Sequence, residues 1–166
     1  MKHIIKKIAL VIPGLVILSI NTHAQKINFS GKWKVNLIQS DFGNLPTSTA
    51  ATEYNIVQDK NIISFERTVI LKDSMSKSKE VLTFGGLITE SDLKNKKKES
   101  SIKWSADRST MIETARQSWV LADGKIGQYQ SLETFTLSMD KKTLFYKRKV
   151  MSDKVNFSIS AVYTKE

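Results

Sequence analysis

Phe29-Ser30-Gly31-Lys32-Trp33-Lys34-Val35-Asn36-Leu37 alternates strictly: Phe29, Gly31, Trp33, Val35 and Leu37 fall on one side, Ser30, Lys32, Lys34 and Asn36 on the other. Side chains of an extended chain point alternately to opposite faces, so this period of two predicts a strand with one face against a core and one in water. Similar one-faced runs recur in Tyr54 and Ile56, in Ile63, Phe65, Val69 and Leu71, and in Ile102 and Trp104. They return in Leu144, Tyr146 and Val150, and in Val155, Phe157, Ile159, Ala161 and Tyr163. No helical period stands out beyond the first two dozen residues.

Turn chemistry separates the runs. It reads Gln58-Asp59-Lys60-Asn61, Gly85-Gly86, Ala106-Asp107-Arg108-Ser109, Ala122-Asp123-Gly124-Lys125, Met139-Asp140-Lys141-Lys142 and Ser152-Asp153-Lys154. Aspartate closes a turn onto its own backbone and glycine supplies positive φ. Short turns between successive strands make sequence neighbours antiparallel neighbours, and a continuous one-faced meander loses its edges by closing on itself. The fold class is therefore all-β, an antiparallel up-and-down meander of 8 to 10 strands closed as a barrel. The section Met111–Leu121 is read as a strand although neither of its faces is clearly apolar. The polar stretches 72–79 and 92–101 read as low in order, and Lys94-Asn95-Lys96-Lys97-Lys98 as a solvated loop. The connection 39–50, with Phe42, Gly43 and Pro46, is long enough to fold over the barrel mouth as a cap or a lid.

The N-terminus sets the compartment. Lys2, Lys6 and Lys7 precede an apolar run from Ile8 to Ile20, broken by Pro13-Gly14, and Thr22-His23-Ala24 follows before Gln25. This is the order of a cleavable signal peptide, with cleavage expected after Ala24, and the run is short for a membrane span. Residues 25–166 would then be one domain, secreted or periplasmic, with no transmembrane segment and no disulfide, since the 166-residue chain holds no cysteine. Both histidines, His3 and His23, leave with the signal. Chemistry that needs imidazole or thiolate, whether nucleophilic catalysis or a zinc site, is excluded from the mature domain. No metal or cofactor is expected. Cleavage removes three lysines and no acids from a formal charge of +10, leaving +7. The basic residues are not interleaved with aromatics, so nucleic acid is not expected as a partner.

Gly31-Lys32-Trp33 resembles the G-x-W signature that opens the lipocalins and the wider calycin barrels. The likeness continues through Val35-Asn36-Leu37 and Ser40-Asp41-Phe42-Gly43, similar to secreted lipocalin-like proteins of Gram-negative bacteria, and Ala161-Val162-Tyr163-Thr164-Lys165 is similar to their closing strand. The resemblance implies a lipocalin-like barrel with Gly31 and Trp33 as its structural signature, and a monomer is expected. Trp33 would sit at the closed end under a basic side chain from a late strand, which Arg148 matches best.

Candidate site residues are polar groups that share a face with hydrophobes. Arg67 alternates with Phe65 and Val69, and Arg148 with Tyr146 and Val150. A guanidinium so placed must be paired or hydrogen-bonded. Two readings stand: Arg67 and Arg148 hold the carboxylate or phosphate of an amphiphile, with Tyr146 or Tyr163 adding a hydroxyl, or Arg67 pairs with a carboxylate and Arg148 packs on Trp33. Trp104 and Trp119 could line a cavity. The function expected is binding of a small hydrophobic or anionic amphiphilic ligand, not catalysis. The alternatives are an envelope or interaction protein with a filled barrel, and an isomerase or hydrolase using Glu66, Glu113 or Glu133.

Overall fold

The computed structural model describes residues 27–72, 74–93 and 96–166, without the side chains of 92 and 93. The signal segment and its cleavage point lie outside the described residues. Ten strands follow in order: β1 (Gly31–Asp41), β2 (Glu53–Asp59), β3 (Ile62–Leu71), β4 (Ser74–Thr83), β5 (Thr89–Leu93), β6 (Lys96–Trp104), β7 (Thr110–Val120), β8 (Ile126–Leu137), β9 (Thr143–Met151) and β10 (Asn156–Lys165). A single turn of 3-10 helix, Thr47–Thr49, is the only helical element among the described residues.

All ten strands form one antiparallel sheet in the order β4-β3-β2-β1-β10-β9-β8-β7-β6-β5. Every neighbour in that order is a sequence neighbour except β1 and β10, whose pairing of Trp33 with Lys165 and Val35 with Tyr163 rolls the meander into a nearly closed barrel. The ladder stops between β4 and β5. There β4 approaches β6 instead, through a parallel bridge between Phe84 and Ile102 and a hydrogen bond from Gly86 N to Ile102 O of 3.0 Å.

The turns obey their aspartates. Asp107, Asp123 and Asp140 each accept from the amide two residues on, at 3.1 Å, and the residue after each turns to positive φ: Arg108 at 59°, Gly124 at 78° and Lys141 at 58°. Of the stretches 72–79 and 92–101, read from sequence as poorly ordered, residues 74–79, 92–93 and 96–101 belong instead to β4, β5 and β6. In β1 the register breaks between Asn36 and Asp41, so Leu37 leaves the inner face and is half exposed.

One half of the interior is filled. Trp33, Ile56, Ile63, Phe65, Leu82, Ile102, Met111, Phe135, Leu144 and Tyr163 are all buried, and Tyr54, Phe65, Phe135, Tyr146 and Tyr163 pack with ring centroids 5.1 to 6.3 Å apart. Each such side chain contributes about 1.5–3 kcal/mol by leaving water. At this closed end Trp33 donates its indole N–H to Phe29 O at 2.9 Å. The cation across Trp33 is Lys165, with Nζ 5.2 Å from the ring centroid, and not Arg148. The register explains the correction: Lys165 is paired with Trp33, whereas Arg148 stands five residues along β9 from Thr143 at the closed end, about 16 Å up the strand.

Gly31 has φ of 145°, a region that side chains rarely adopt, and a Cβ there would stand 2.6 Å from Lys165 Cε. Gly31→Ala should therefore lower the unfolding free energy by about 1–3 kcal/mol, most of it backbone strain because the lysine tip can move aside. Urea titration of the two proteins measures the difference, and an unchanged midpoint would show the signature glycine to be dispensable.

Candidate ligand site at the open end of the barrel

Above the apolar half, the inner face changes character. Alternate residues of β3, β4, β6, β7, β8 and β9 bring Arg67, Glu80, Lys98, Glu113, Glu133 and Arg148 into one layer, three cations against three carboxylates. Arg67 bonds Glu80 through Nη1 and Glu113 through Nη2 (2.9 Å), while Lys98 Nζ reaches Glu80 at 2.7 Å and Glu113 at 3.1 Å. Ser100 Oγ donates to Glu80 at 2.8 Å. The Arg67 guanidinium also lies 5.1 Å from the centroid of the Phe65 ring beneath it. Lys98, expected in a solvated loop, is thus an interior strand residue, whereas its neighbour Lys97 is turned outward to Glu90 and Glu99. Lys94 and Asn95 lie outside the described residues.

The acids respond differently to the same cations. Burial alone would raise the Glu80 carboxyl, but Arg67 and Lys98 outweigh it and hold it at about 2. Burial raises Glu113 above its usual range, and Arg67 and Lys98 offset this only in part. The difference lies in position: Glu80 is near the rim, whereas Glu113 is sealed and sits directly opposite Glu133 in the β7–β8 ladder, where like charges oppose each other. For Arg67, burial works against the charge, but Glu113 and the other acids more than compensate and keep it protonated. Burial also pushes the Tyr54 hydroxyl up to about 12 and raises Tyr146 and Tyr163 well above the ordinary range, so these phenols stay neutral.

Two cavities open beyond this layer. One, of about 370 Å³, is the more polar of the two, with Tyr54, Arg67, Glu80, Lys98, Ser131 and Glu133 among its walls. The other, of about 560 Å³, is mainly apolar and includes Trp119, Ile126, Val150, Val155 and Phe157. Tyr129 and Arg148 line both, so they form the partition. Tyr129 is fixed by donating its hydroxyl to Gln117 Oε1, and its ring packs 5.9 Å from that of Trp119. Trp119 lies flat over Gly127, where any Cβ would come within 2.5 Å of the indole.

The long connection after β1 is an ordered cap on this mouth. Phe42, Ala50 and Ala51 are buried, Thr49 O accepts from Arg148 Nη1 at 3.2 Å, and Ala51 O accepts from the Tyr163 hydroxyl at 2.8 Å. Thr52 completes the attachment, its carbonyl accepting from Val35 N and its amide donating to Thr68 O.

Of the residues singled out from sequence, Arg67, Arg148, Tyr146 and Trp119 come together here. Tyr163 and Trp104 do not. Tyr163 spends its hydroxyl on the cap, and Trp104 stacks on Phe84 (5.1 Å) at the closed end, because its place at the end of β6 is opposite Met111 at the start of β7. Glu66 faces outward beside Asn55. Neither arginine is a free anion hook: Arg67 is held by two carboxylates, and Arg148 by the cap and by Glu133, 3.4 Å from its Nε. Glu80, Lys98, Gln117, Tyr129 and Ser131 were not singled out. Polar residues alternating in otherwise irregular segments were their only signal.

No protein-family model matches the chain, and no curated protein matches it. Among solved structures it is similar to a zebrafish ileal bile acid-binding protein crystallised with cholic acid, with a TM-score of 0.49 and 12% identity over 83% of this chain and 98% of that one.

Glu80 gives the layer a pH signature. A carboxyl near 4.5 when unfolded and near 2 when folded contributes stability that is fully present above about 4.5 and is lost as the pH falls towards 2. Glu113 acts in the opposite direction, since its folded carboxyl holds a proton more tightly than the unfolded one. Glu80→Gln should therefore flatten the loss of stability between about pH 4.5 and 2 and lower stability at neutral pH, as followed by denaturant titrations across that range. An acid limb unchanged by the substitution would rule out Glu80 as its source.

Proposed function

We propose that this chain is a secreted or periplasmic binding module whose barrel takes a small hydrophobic or amphiphilic molecule through its open end. The observation that carries the reading is the pair of adjoining cavities, one apolar and one polar, meeting at Tyr129 and Arg148. Their sizes fall within the range of small-molecule sites, and apolar walls with a few placed polar groups are what such sites are made of. An amphiphile fits the arrangement, its body against Trp119 and Phe157 and its head towards Glu133. The basic, apolar and small-residue order of residues 1–24 supports export.

Binding is favoured over catalysis by where the acids lie. Glu113 is wholly buried between Arg67 and Lys98 and Glu66 is outside the barrel, while Glu133, which does line the cavity, is paired with Arg148. A filled barrel acting through its surface would not need an apolar recess beside the more polar cavity.

The full-length chain should be expressed with its leader, recovered without detergent and examined by native mass spectrometry. The polypeptide mass should begin at Gln25, and an additional mass should leave on denaturation. Gly127→Ala, which forces the Trp119 indole into the apolar cavity, should reduce that additional mass while leaving the strand signal of circular dichroism intact. A bare protein that stays bare after exposure to a panel of fatty alcohols, acids and phospholipids would sink the binding reading, and retention of residues 1–24 would sink export.

A further inference from the structure

Glu133 is the misfit of the charged layer. Its side chain is only 9% exposed, yet among the described residues its Oε2 accepts no hydrogen bond. Arg67 Nη2 stands off at 3.8 Å from Oε2, and Arg148 Nε lies 3.4 Å from Oε1 without the alignment of a hydrogen bond. That same Arg148 Nε is also a buried donor with no acceptor among the described residues. An orphaned donor and an orphaned acceptor therefore sit side by side in one ion pair, and both residues line the polar cavity where it meets the apolar one. Buried groups of this kind are costly to leave unpaired.

We infer that the head group this barrel selects is a neutral hydroxyl rather than an anion, with Glu133 as its acceptor and Arg148 as its donor. The inference rests on the binding reading and narrows it. A hydroxyl is the smallest group that both donates and accepts, so one oxygen meets both demands at once. Both orphan atoms are covered by their neighbours, but the last torsion of a glutamate is soft, and a small turn of the carboxylate presents it to the cavity. A carboxylate ligand meets the opposite situation. It has no proton for Glu133, it brings a fourth negative charge to a layer that already balances three cations with three acids, and Arg67 is already committed to Glu80 and Glu113. The anionic head expected from the two arginines alone is therefore disfavoured by the acids folded beside them.

The test uses three probes of one chain length, decanol, its methyl ether and decanoate, titrated into the processed protein by calorimetry at neutral pH. Decanol should bind about tenfold or more tightly than either competitor, the ether failing because it cannot donate to Glu133 and decanoate because it is charged. Glu133→Gln should erode the preference for decanol over decanoate, with circular dichroism and a melt confirming that the variant folds. A second readout needs no variant: protonated decanoic acid is itself a donor, so the deficit of decanoate should close as the pH falls through its own pKa of about 4 to 5. Decanoate or the ether binding as tightly as decanol at neutral pH overturns the inference while leaving the binding module standing. Failure of all three to bind the folded protein overturns both.

Discussion

The barrel depends on an ion cluster placed where its hydrogen-bond ladder fails. Between β4 and β5 no ladder runs, and a sheet left open there would expose two edges and the interior behind them. Glu80 of β4 spans the break by accepting from Lys98 and Ser100 of β6, and Arg67 and Glu113 tie the same cluster to β3 and β7. Side-chain ion pairs thus replace a stretch of backbone pairing. The substitution works because each charge is matched. Removing ions from water costs several kcal/mol apiece, and only multiple close partners repay it.

That demand divides the interior. On the closed side of the charged layer the barrel is packed with aromatic and branched side chains; on the open side it retains two cavities. The arginines that point inward serve first as counter-ions and only second as contacts for anything bound. Arg67 is consumed in closure. Arg148 is shared among the cap, Glu133 and both cavities, so the incomplete pairing falls at that residue and its glutamate. On the proposed reading, recognition would be left to the edge of the network, where a bond remains unmade, rather than to its centre.

The same division governs how much of the molecule can be read from sequence. Strands lining the packed half alternate cleanly, as in Trp33 and Val35 or Leu144 and Tyr146, and the aspartate turns between them are legible for the same local reasons. Strands lining the open half carry polar residues on their inner face: Ser78 and Glu80 in β4, Lys98 and Ser100 in β6, Glu113 and Gln117 in β7. Their period of two persists, but inside and outside are both polar, so a hydrophobicity pattern reports them as loops or leaves their inner face undecided. Arg67 could be placed inside because Phe65 and Val69 flank it. Its partners could not be placed as readily: Glu113 lies between Met111 and Ala115 and Glu80 beside Leu82, but Ile112 and Val81 put apolar residues on the opposite face as well. Lys165 shows another limit: the cation over Trp33 follows from the register of β1 on β10, a long-range fact that residue type does not reveal.

On the proposed reading, Arg148 would also connect recognition to access. Its Nη1 holds Thr49 O of the cap, its Nε faces Glu133, and its side chain separates the two cavities. Tyr163 and Thr52 keep the rest of the connection anchored. On the proposed reading the carbonyl of Thr49 and the head group would share one guanidinium through different nitrogens. Because the fork has several donors in a fixed plane, it can keep Nη1 on the cap while Nε turns to a ligand oxygen. A lysine in its place, a single point charge on a flexible stem, could not hold both at fixed angles, and the partition between the polar and apolar compartments would lose its shape.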